Sequence, residues 1–315
     1  MRLIFMGTPA AAVPTLERCI ADGHEIVVVW TQPDRPAGRG NKLTPPPVKL
    51  CAGRHGLPVH QPEKVRNAAA KELFASYQAD AAVVVAYGRV LPPEFLSAPR
   101  YGCVNVHFSL LPKYRGAAPV NWAIVNGETE TGVTTMLMDE GLDTGPILLQ
   151  RSLTIGPEET APELLARLSE LGAEALSETL PIFRHLTPAF QIHEKHTLAP
   201  ILQREDGLID WTLNAQQIAW RARGLQPWPN AFTMFRGAKL VIWRVTVDEN
   251  RTAAAPGVIV VAKGDNLKIA CGCGTVLQIH ELQPEGKRRM PARDFLNGAH
   301  LQTGETLGAP ASPPA

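Results

Sequence analysis

The chain has 315 residues, 31 basic and 30 acidic, for a formal net charge of +1. That length suffices for two domains with separate cores, while the near-neutral balance excludes nucleic-acid binding driven by overall charge, so such a role needs local basic clusters. Apolar and charged contents of 45% and 19% are those of a soluble globular protein, no apolar run reaches membrane-spanning length, and the N-terminus enters a strand pattern too short for a secretory segment.

In chain order, RLIFMG at 2–7 reads as a strand ending in glycine. PTLERCIADG at 14–23 reads as a helix closed by Gly23, and EIVVVWT at 25–31 as the next strand. PDRPAGRGNKLTPPPVK at 33–49 is rich in proline, glycine and positive charge, so it predicts an insertion loop rather than a packed helix or central strand. KLCAGRHG and NAAAKELFASYQ read as helices, and DAAVVVAYG as a buried strand. This alternation predicts an α/β domain, a mostly parallel sheet with helices on both faces. Ligands in such sheets bind outside the carboxyl ends of the strands. Gly7-Thr8-Pro9, Ala86-Tyr87-Gly88, Asn105 to Pro112 and Met138 to Asp143 all fall there. The first turn lacks the G-x-G-x-x-G pattern, which predicts no nicotinamide cofactor.

The most chemically explicit stretch is NVHFSLLPKYRG at 105–116, followed by MDEGLDTG at 138–145. Asn105 and His107 are two apart on a short strand and therefore share a face. An amide there can donate to a developing oxyanion, and an imidazole can shuttle a proton. Asp143, folded against the ring, would orient and charge it. Ser109 has no G-x-S-x-G elbow around it, so it reads as a ligand-binding hydroxyl rather than a nucleophile. The set suits direct acyl transfer to an amine.

Further on, APELLARLSELGAEALSETLPIF reads as an amphipathic helix ending the first domain, and Thr187 to Pro200 as part of a linker. A helix, AQQIAWRARGL, and a run of short alternating strands then predict a small antiparallel barrel. Lys287, Arg288 and Arg289 form a late basic cluster. Five scattered cysteines, Cys19, Cys51, Cys103, Cys271 and Cys273, read as reduced thiols in strands, with no metal site.

The segment NVHFSLLPKYRGAAPVNWAI resembles the signature of the 10-formyltetrahydrofolate-using formyltransferases. The resemblance extends through FMGTP, TQPDRPAGRG, VVVAYGRVLP, ETGVTTMLMDEGLDTGPIL, IDW, PWPNAF and LQPEGKRRMPARDFLNG. It implies a Rossmann-like formyltransferase domain over 1–188, with the insertion at 33–49, a linker over 189–203 and an OB-like barrel over 204–304 that binds tRNA. The composition of GETLGAPASPPA predicts a disordered tail over 305–315. The resemblance implies that Asn105, His107 and Asp143 are catalytic. Ser109, Leu110, Leu111 and Pro112, with Tyr87, Gly88 and Asp139, are then expected to bind the folate co-substrate. Phe108 departs from the small residue usual between the His and the Ser. In the branch of the family that acts on initiator methionyl-tRNA, the insertion reads the acceptor end. Arg39 matches its sensing arginine, Arg35, Lys42, Lys287 and Arg288 are further candidate tRNA contacts, and Asn41 stands at a commonly basic position. A cytoplasmic monomer with no membrane partner is the expectation. A small-molecule amine such as a sugar nucleotide, water as acceptor, and a noncatalytic RNA-binding role are the rival readings.

Overall fold

The computed structural model describes residues 1–37, 40, 42–183, 185 and 187–308. Its chain separates into two compact units. The first comprises Met1–Pro119, Glu130–Thr154 and Leu164–Pro200. Its elements begin with β1 (Arg2–Gly7), α1 (Val13–Ala21), β2 (Glu25–Trp30), β3 (Arg35–Ala37), β4 (Lys42–Thr44), α2 (Pro47–Arg54) and β5 (Val59–His60). They continue with α3 (Ala68–Ser76), β6 (Ala81–Val85), α4 (Pro93–Ser97), β7 (Cys103–His107) and β8 (Arg115–Gly116). After α5 (Pro119–Val125), which from Val120 on belongs to the second unit, come β9 (Glu130–Leu137), β10 (Ile147–Thr154), α6 (Ala161–Ile182) and β11 (Leu198–Ala199).

The main sheet has seven strands in the order β10-β9-β7-β6-β1-β2-β5. β7, β6, β1, β2 and β5 run parallel, whereas β9 pairs antiparallel with β7 and β10 with β9. Every residue of β6 is buried, as are Leu3 to Met6 of β1. Such unbroken apolar runs arise because both faces of a parallel sheet are covered. On one face Phe74 of α3 stacks on Phe95 of α4 at 4.1 Å, and Trp30 meets both edge-on at 5.3 and 5.4 Å.

Polar side chains stitch the carboxyl ends of the parallel strands together. The Tyr87 carbonyl accepts from Thr8 Oγ1 at 3.0 Å and Gln32 Nε2 at 3.1 Å. Gln32 also accepts from Arg89 Nε through its side chain and from Gln61 Nε2 through its carbonyl. The loops that follow β1, β2 and β6 thereby become one framed surface.

The insertion folds as a hairpin in which Arg35 pairs with Thr44 and Ala37 with Lys42. Gly38, Arg39 and Asn41 lie outside the described residues. The stretch read as a linker is instead bonded into the first unit as far as Pro200: β11 pairs with β8, and Ala189 bridges Ile147. The sequence missed this strap because its partners lie 40 or more residues away.

The second unit comprises Val120–Thr129, Ile155–Glu163 and the chain from Ile201 onward. Its later elements are α7 (Ala215–Gly224), β12 (Ala231–Phe235), β13 (Ala238–Asp248), β14 (Ile259–Lys263), β15 (Asn266–Ala270), β16 (Val276–Pro284), β17 (Met290–Pro291) and α8 (Ala292–Ala299). Six antiparallel strands run β12-β13-β16-β15-β14 with β17 on β16. Ile218 and Ala222 of α7, Phe295 of α8 and strand residues Ile242, Ile269 and Ile279 share one core. An Asn214–Gln217 capping box starts α7.

All five cysteines are free. Cys103 lies in a strand, but Cys19 and Cys51 sit in α1 and α2, where the pattern was helical rather than strand-like. Burial pushes the Cys19, Cys103 and Cys271 thiols up to about 12. A thiol reagent at pH 8 is expected to label Cys273 rapidly in the folded protein and the other four only after denaturation; rapid reaction of a second thiol would contradict this burial. Phe74→Ala should lower the free energy of unfolding by about 3–5 kcal/mol, read in a urea titration of the first unit's transition.

Candidate active site

Asn105 and His107 occupy the carboxyl-terminal half of β7, buried between β6 and β9. Asn105 and His107 share one face of this strand. Even-numbered Val106 and the following Phe108 face the other way and meet α6 at Gly172, where an added Cβ would lie 2.9 and 3.4 Å from them. The large residue between His107 and Ser109 therefore packs under the helix, on the opposite face from His107.

His107 is 6% exposed and bracketed on both ring nitrogens. Nε2 lies 2.9 Å from the Tyr114 carbonyl. A carbonyl only accepts, so Nε2 carries a proton in this arrangement. Nδ1 lies 3.7 Å from Asp143 Oδ2, an ion-pair distance longer than a hydrogen bond. A ring with protons on both nitrogens thus meets an acceptor on one side and a carboxylate on the other. Asp143 Oδ2 is itself held by the Gly116 N–H at 2.8 Å. Asp143 has φ of +52°, a left-handed conformation that costs a non-glycine residue about 1 kcal/mol. Among the described residues the Asn105 side chain has no hydrogen-bond partner, so its amide remains available to a ligand oxygen.

The loop after β7 is braced internally. Ser109 Oγ donates to the Lys113 carbonyl at 2.6 Å. The buried Thr134 hydroxyl donates to the Ser109 carbonyl at 2.7 Å and accepts from Leu111 N at 3.1 Å. Gln150 Nε2 donates to the Leu111 carbonyl at 2.9 Å. Ser109, read from sequence as a ligand hydroxyl, spends its proton on the loop, and Leu111 is buried. Leu110 and Pro112 are half-buried. Thr134 and Gln150 were missed because nothing in a strand sequence marks which residue will brace a neighbouring loop.

Of the other expected residues, Gly88 is exposed with φ of +83°. Tyr87 turns its ring into the aromatic core, where burial pushes the phenol up to about 12; it meets the framed surface through its carbonyl instead. Asp139 Oδ1 accepts from Gly141 N and Thr144 Oγ1, shaping the turn that carries Asp143. A cleft of about 330 Å³ lies beside this surface, lined by Lys64, Val65, Arg66, Arg89 and Val90. Its three cations were not singled out by sequence because they are spread over 26 positions.

In the insertion, the Asp34 carboxylate takes Lys49 Nζ at 2.8 and 2.9 Å. That bond, then one from Gln61, holds its carboxyl below the usual range. Lys49 is thereby neutralised, while Arg35 and Lys42 stay exposed on one face of the hairpin. In the second unit Lys287 and Arg288 are exposed between β16 and β17. Arg289 stacks over Trp243 at 5.0 Å and pairs with Glu281. Of groups with metal-ligand chemistry among the described residues, Glu17, Cys51 and His55 bring ligand atoms within 4.8 Å. Arg54 already supplies a cation to Glu17 there, at 3.0 Å.

Comparison with known proteins places this chain among group-transfer enzymes. Residues 1–180 match the formyl transferase model and 201–300 the model of the formyl transferase C-terminal domain. A methionyl-tRNA formyltransferase from Geobacter metallireducens is 50% identical over 310 residues, covering 98% of this chain and 99% of that protein. One from Acidobacterium capsulatum is 52% identical over 314 residues, covering 98% and 100%. The chain belongs to the formyl transferase family. Among solved structures, the sugar 3N-formyltransferase WlaRD, with dTDP and 5-N-formyl-THF, matches with a TM-score of 0.67 at 16% identity, over 91% of this chain and 99% of that one. HypX from Aquifex aeolicus, in complex with tetrahydrofolic acid, matches with a TM-score of 0.62 at 17% identity over 94% of this chain. This chain spans about half of HypX, 47% of its length. At these identities the two share the fold.

The glycine beneath Asp143 gives a direct check on the geometry. A Cβ at Gly116, whose φ is +124°, would lie 2.6 Å from the Ala199 carbonyl. Gly116→Ala should displace the N–H that holds Asp143 and reduce formyl transfer roughly 10²-fold, with circular dichroism unchanged. A fully active variant would show that this hydrogen bond does not matter.

Proposed function

We propose that this protein transfers the formyl group of 10-formyltetrahydrofolate to the α-amino group of methionyl-initiator tRNA. The observation that carries the reading is the grouping of an Asn105 amide that has no partner among the described residues with a buried His107 bracketed by Tyr114 and Asp143. It is supported by relatives of that name that match almost end to end.

In this reading the amine nitrogen bonds to the formyl carbon while the bond from that carbon to folate N10 breaks. Asn105 donates to the formyl oxygen as negative charge grows on it. His107 handles the proton: its Nε2–H, released from the Tyr114 carbonyl as the substrate enters, passes toward N10, and the ring recovers a proton from the attacking amine. Asp143 keeps the ring oriented and balances its charge. The braced Ser109–Pro112 loop and the exposed backbone at Gly88 line the folate. The cleft of Lys64, Arg66 and Arg89 suits the carboxylates of a folate glutamyl tail, because three cations converge on one open pocket. Arg35 and Lys42 offer exposed charge to a phosphate backbone, and Lys287 and Arg288 do so on the second unit. Arg39, outside the described residues, is the base-reading candidate. The enzyme acts as a monomer in the cytoplasm.

A sugar-nucleotide acceptor is the second reading, since WlaRD shows that the same fold serves a sugar 3N-formyltransferase. The basic hairpin and the near-complete coverage of the tRNA-named relatives speak for the first.

The test is formyl transfer to initiator methionyl-tRNA, with elongator methionyl-tRNA as control. Fast transfer to the initiator alone is expected; transfer only to an amino sugar nucleotide would replace the reading. His107→Ala and Asp143→Asn should lower kcat by roughly 10²–10⁴-fold with tRNA affinity kept. Arg35→Glu with Lys42→Glu should instead weaken tRNA binding and flatten its salt dependence by about two phosphate contacts.

A further inference from the structure

Arg115 is 3% exposed, and no carboxylate among the described residues pairs with it. Its Nε and one terminal nitrogen both donate to Gln191 Oε1, at 3.0 and 2.7 Å. The other terminal nitrogen lies 3.3 Å from His193 Nδ1. A buried guanidinium set on neutral acceptors forgoes the charged partner that would offset its desolvation most directly.

The far side of Gln191 explains the choice. Gln191 Nε2 donates to the Asp143 carbonyl at 2.9 Å and to the Gly145 carbonyl at 2.8 Å. The amide therefore accepts twice on one side and donates twice on the other, which fixes its orientation. A glutamate would pair better with Arg115 but could not hold two carbonyls. One of these carbonyls belongs to the left-handed residue whose carboxylate faces His107, and the other lies two residues beyond it.

Arg115 also sits between the two backbone groups that complete the site. The preceding carbonyl, of Tyr114, accepts from His107 Nε2, and the following N–H, of Gly116, holds Asp143. The Arg115 N–H donates to the Thr197 carbonyl at 2.9 Å, tying this segment to the strap that carries Gln191.

We propose that Arg115 and Gln191 are positioning residues: the guanidinium orients the Gln191 amide, and the amide clamps the Asp143 turn against His107. The inference rests on reading His107 and Asp143 as the proton-handling pair. It predicts that the identity of residue 191 governs turnover without touching either substrate.

Gln191→Glu is the decisive variant, because it keeps a partner for Arg115 while losing both donors to the turn. Gln191→Met, of similar size, removes both sides. Each is compared with wild type by thermal unfolding, by kcat and KM for formyl transfer, and by the ¹³Cε1–¹H cross-peak of His107, assigned through its loss in His107→Gln. Gln191→Glu is expected to unfold at or above the wild-type midpoint, to lose roughly 10–100-fold in kcat with both KM values within about three-fold, and to move the His107 cross-peak toward its position in Asp143→Asn. Arg115→Lys should retain more activity than Arg115→Met. Wild-type kcat in folded Gln191→Glu, or an unmoved His107 cross-peak in both Gln191 variants, would overturn the proposal. The cross-peak needs no substrate, so failure of wild type to formylate would sink the functional reading while leaving this test in force.

Discussion

An imidazole that is 6% exposed must have any charge it acquires met from within the protein. His107 meets this constraint with a backbone carbonyl on one nitrogen and a carboxylate near the other. Neither partner lies on its own strand. Tyr114 comes from the loop after β7, and Asp143 from the turn between β9 and β10, so the site exists only when both are held in register with β7. The framework around them serves that registration: Thr134 reaches from β9 to two groups of the Ser109–Leu111 loop, and Gln150 reaches from β10 to the same loop. Because β9 pairs antiparallel with β7, Thr134 lies opposite His107, and the loop brace starts where the histidine sits.

Close backbone approach is the second requirement. Gly116 lies so near the Ala199 carbonyl that a methyl group would stand 2.6 Å from it, and a Cβ on Gly145 would run into the Leu137 carbonyl. These two glycines let the β8–β11 pair and the Asp143 turn close on the end of the sheet. The chemistry expected of Asn105 and His107 thus depends on residues with no reactive group at all.

Charge is distributed with comparable economy. A net charge of +1 hides a local imbalance, because acidic partners cancel some basic residues while others stand exposed. Asp34 neutralises Lys49 and Glu281 pairs with Arg289, while Arg35, Lys42, Lys287 and Arg288 remain exposed. The cationic cleft of Lys64, Arg66 and Arg89 forms where loops after different strands meet at one edge of the parallel sheet. A surface of this kind attracts phosphate or carboxylate locally without making the whole molecule a polyanion sponge.

The sequence by itself determined the alternating parallel sheet, the antiparallel second unit, and the one-face placement of Asn105 and His107. Each is a consequence of short-range periodicity: apolar runs of strand length, turns of glycine and proline, and the two-residue repeat of a strand. The acidic loop at 138–145 offered Asp143 as the partner of the ring, and motif resemblance placed it in the catalytic set. Tertiary structure alone decided what surrounds them. It turned the Tyr87 ring into the core, placed Phe108 beneath α6, and committed the Ser109 hydroxyl to its own loop. It also made a strap of the stretch read as a linker and brought Arg115 and Gln191 behind the Asp143 turn. Those outcomes depend on which of a side chain's possible partners, dozens of residues away, wins the hydrogen bond. Local pattern carries no record of that competition.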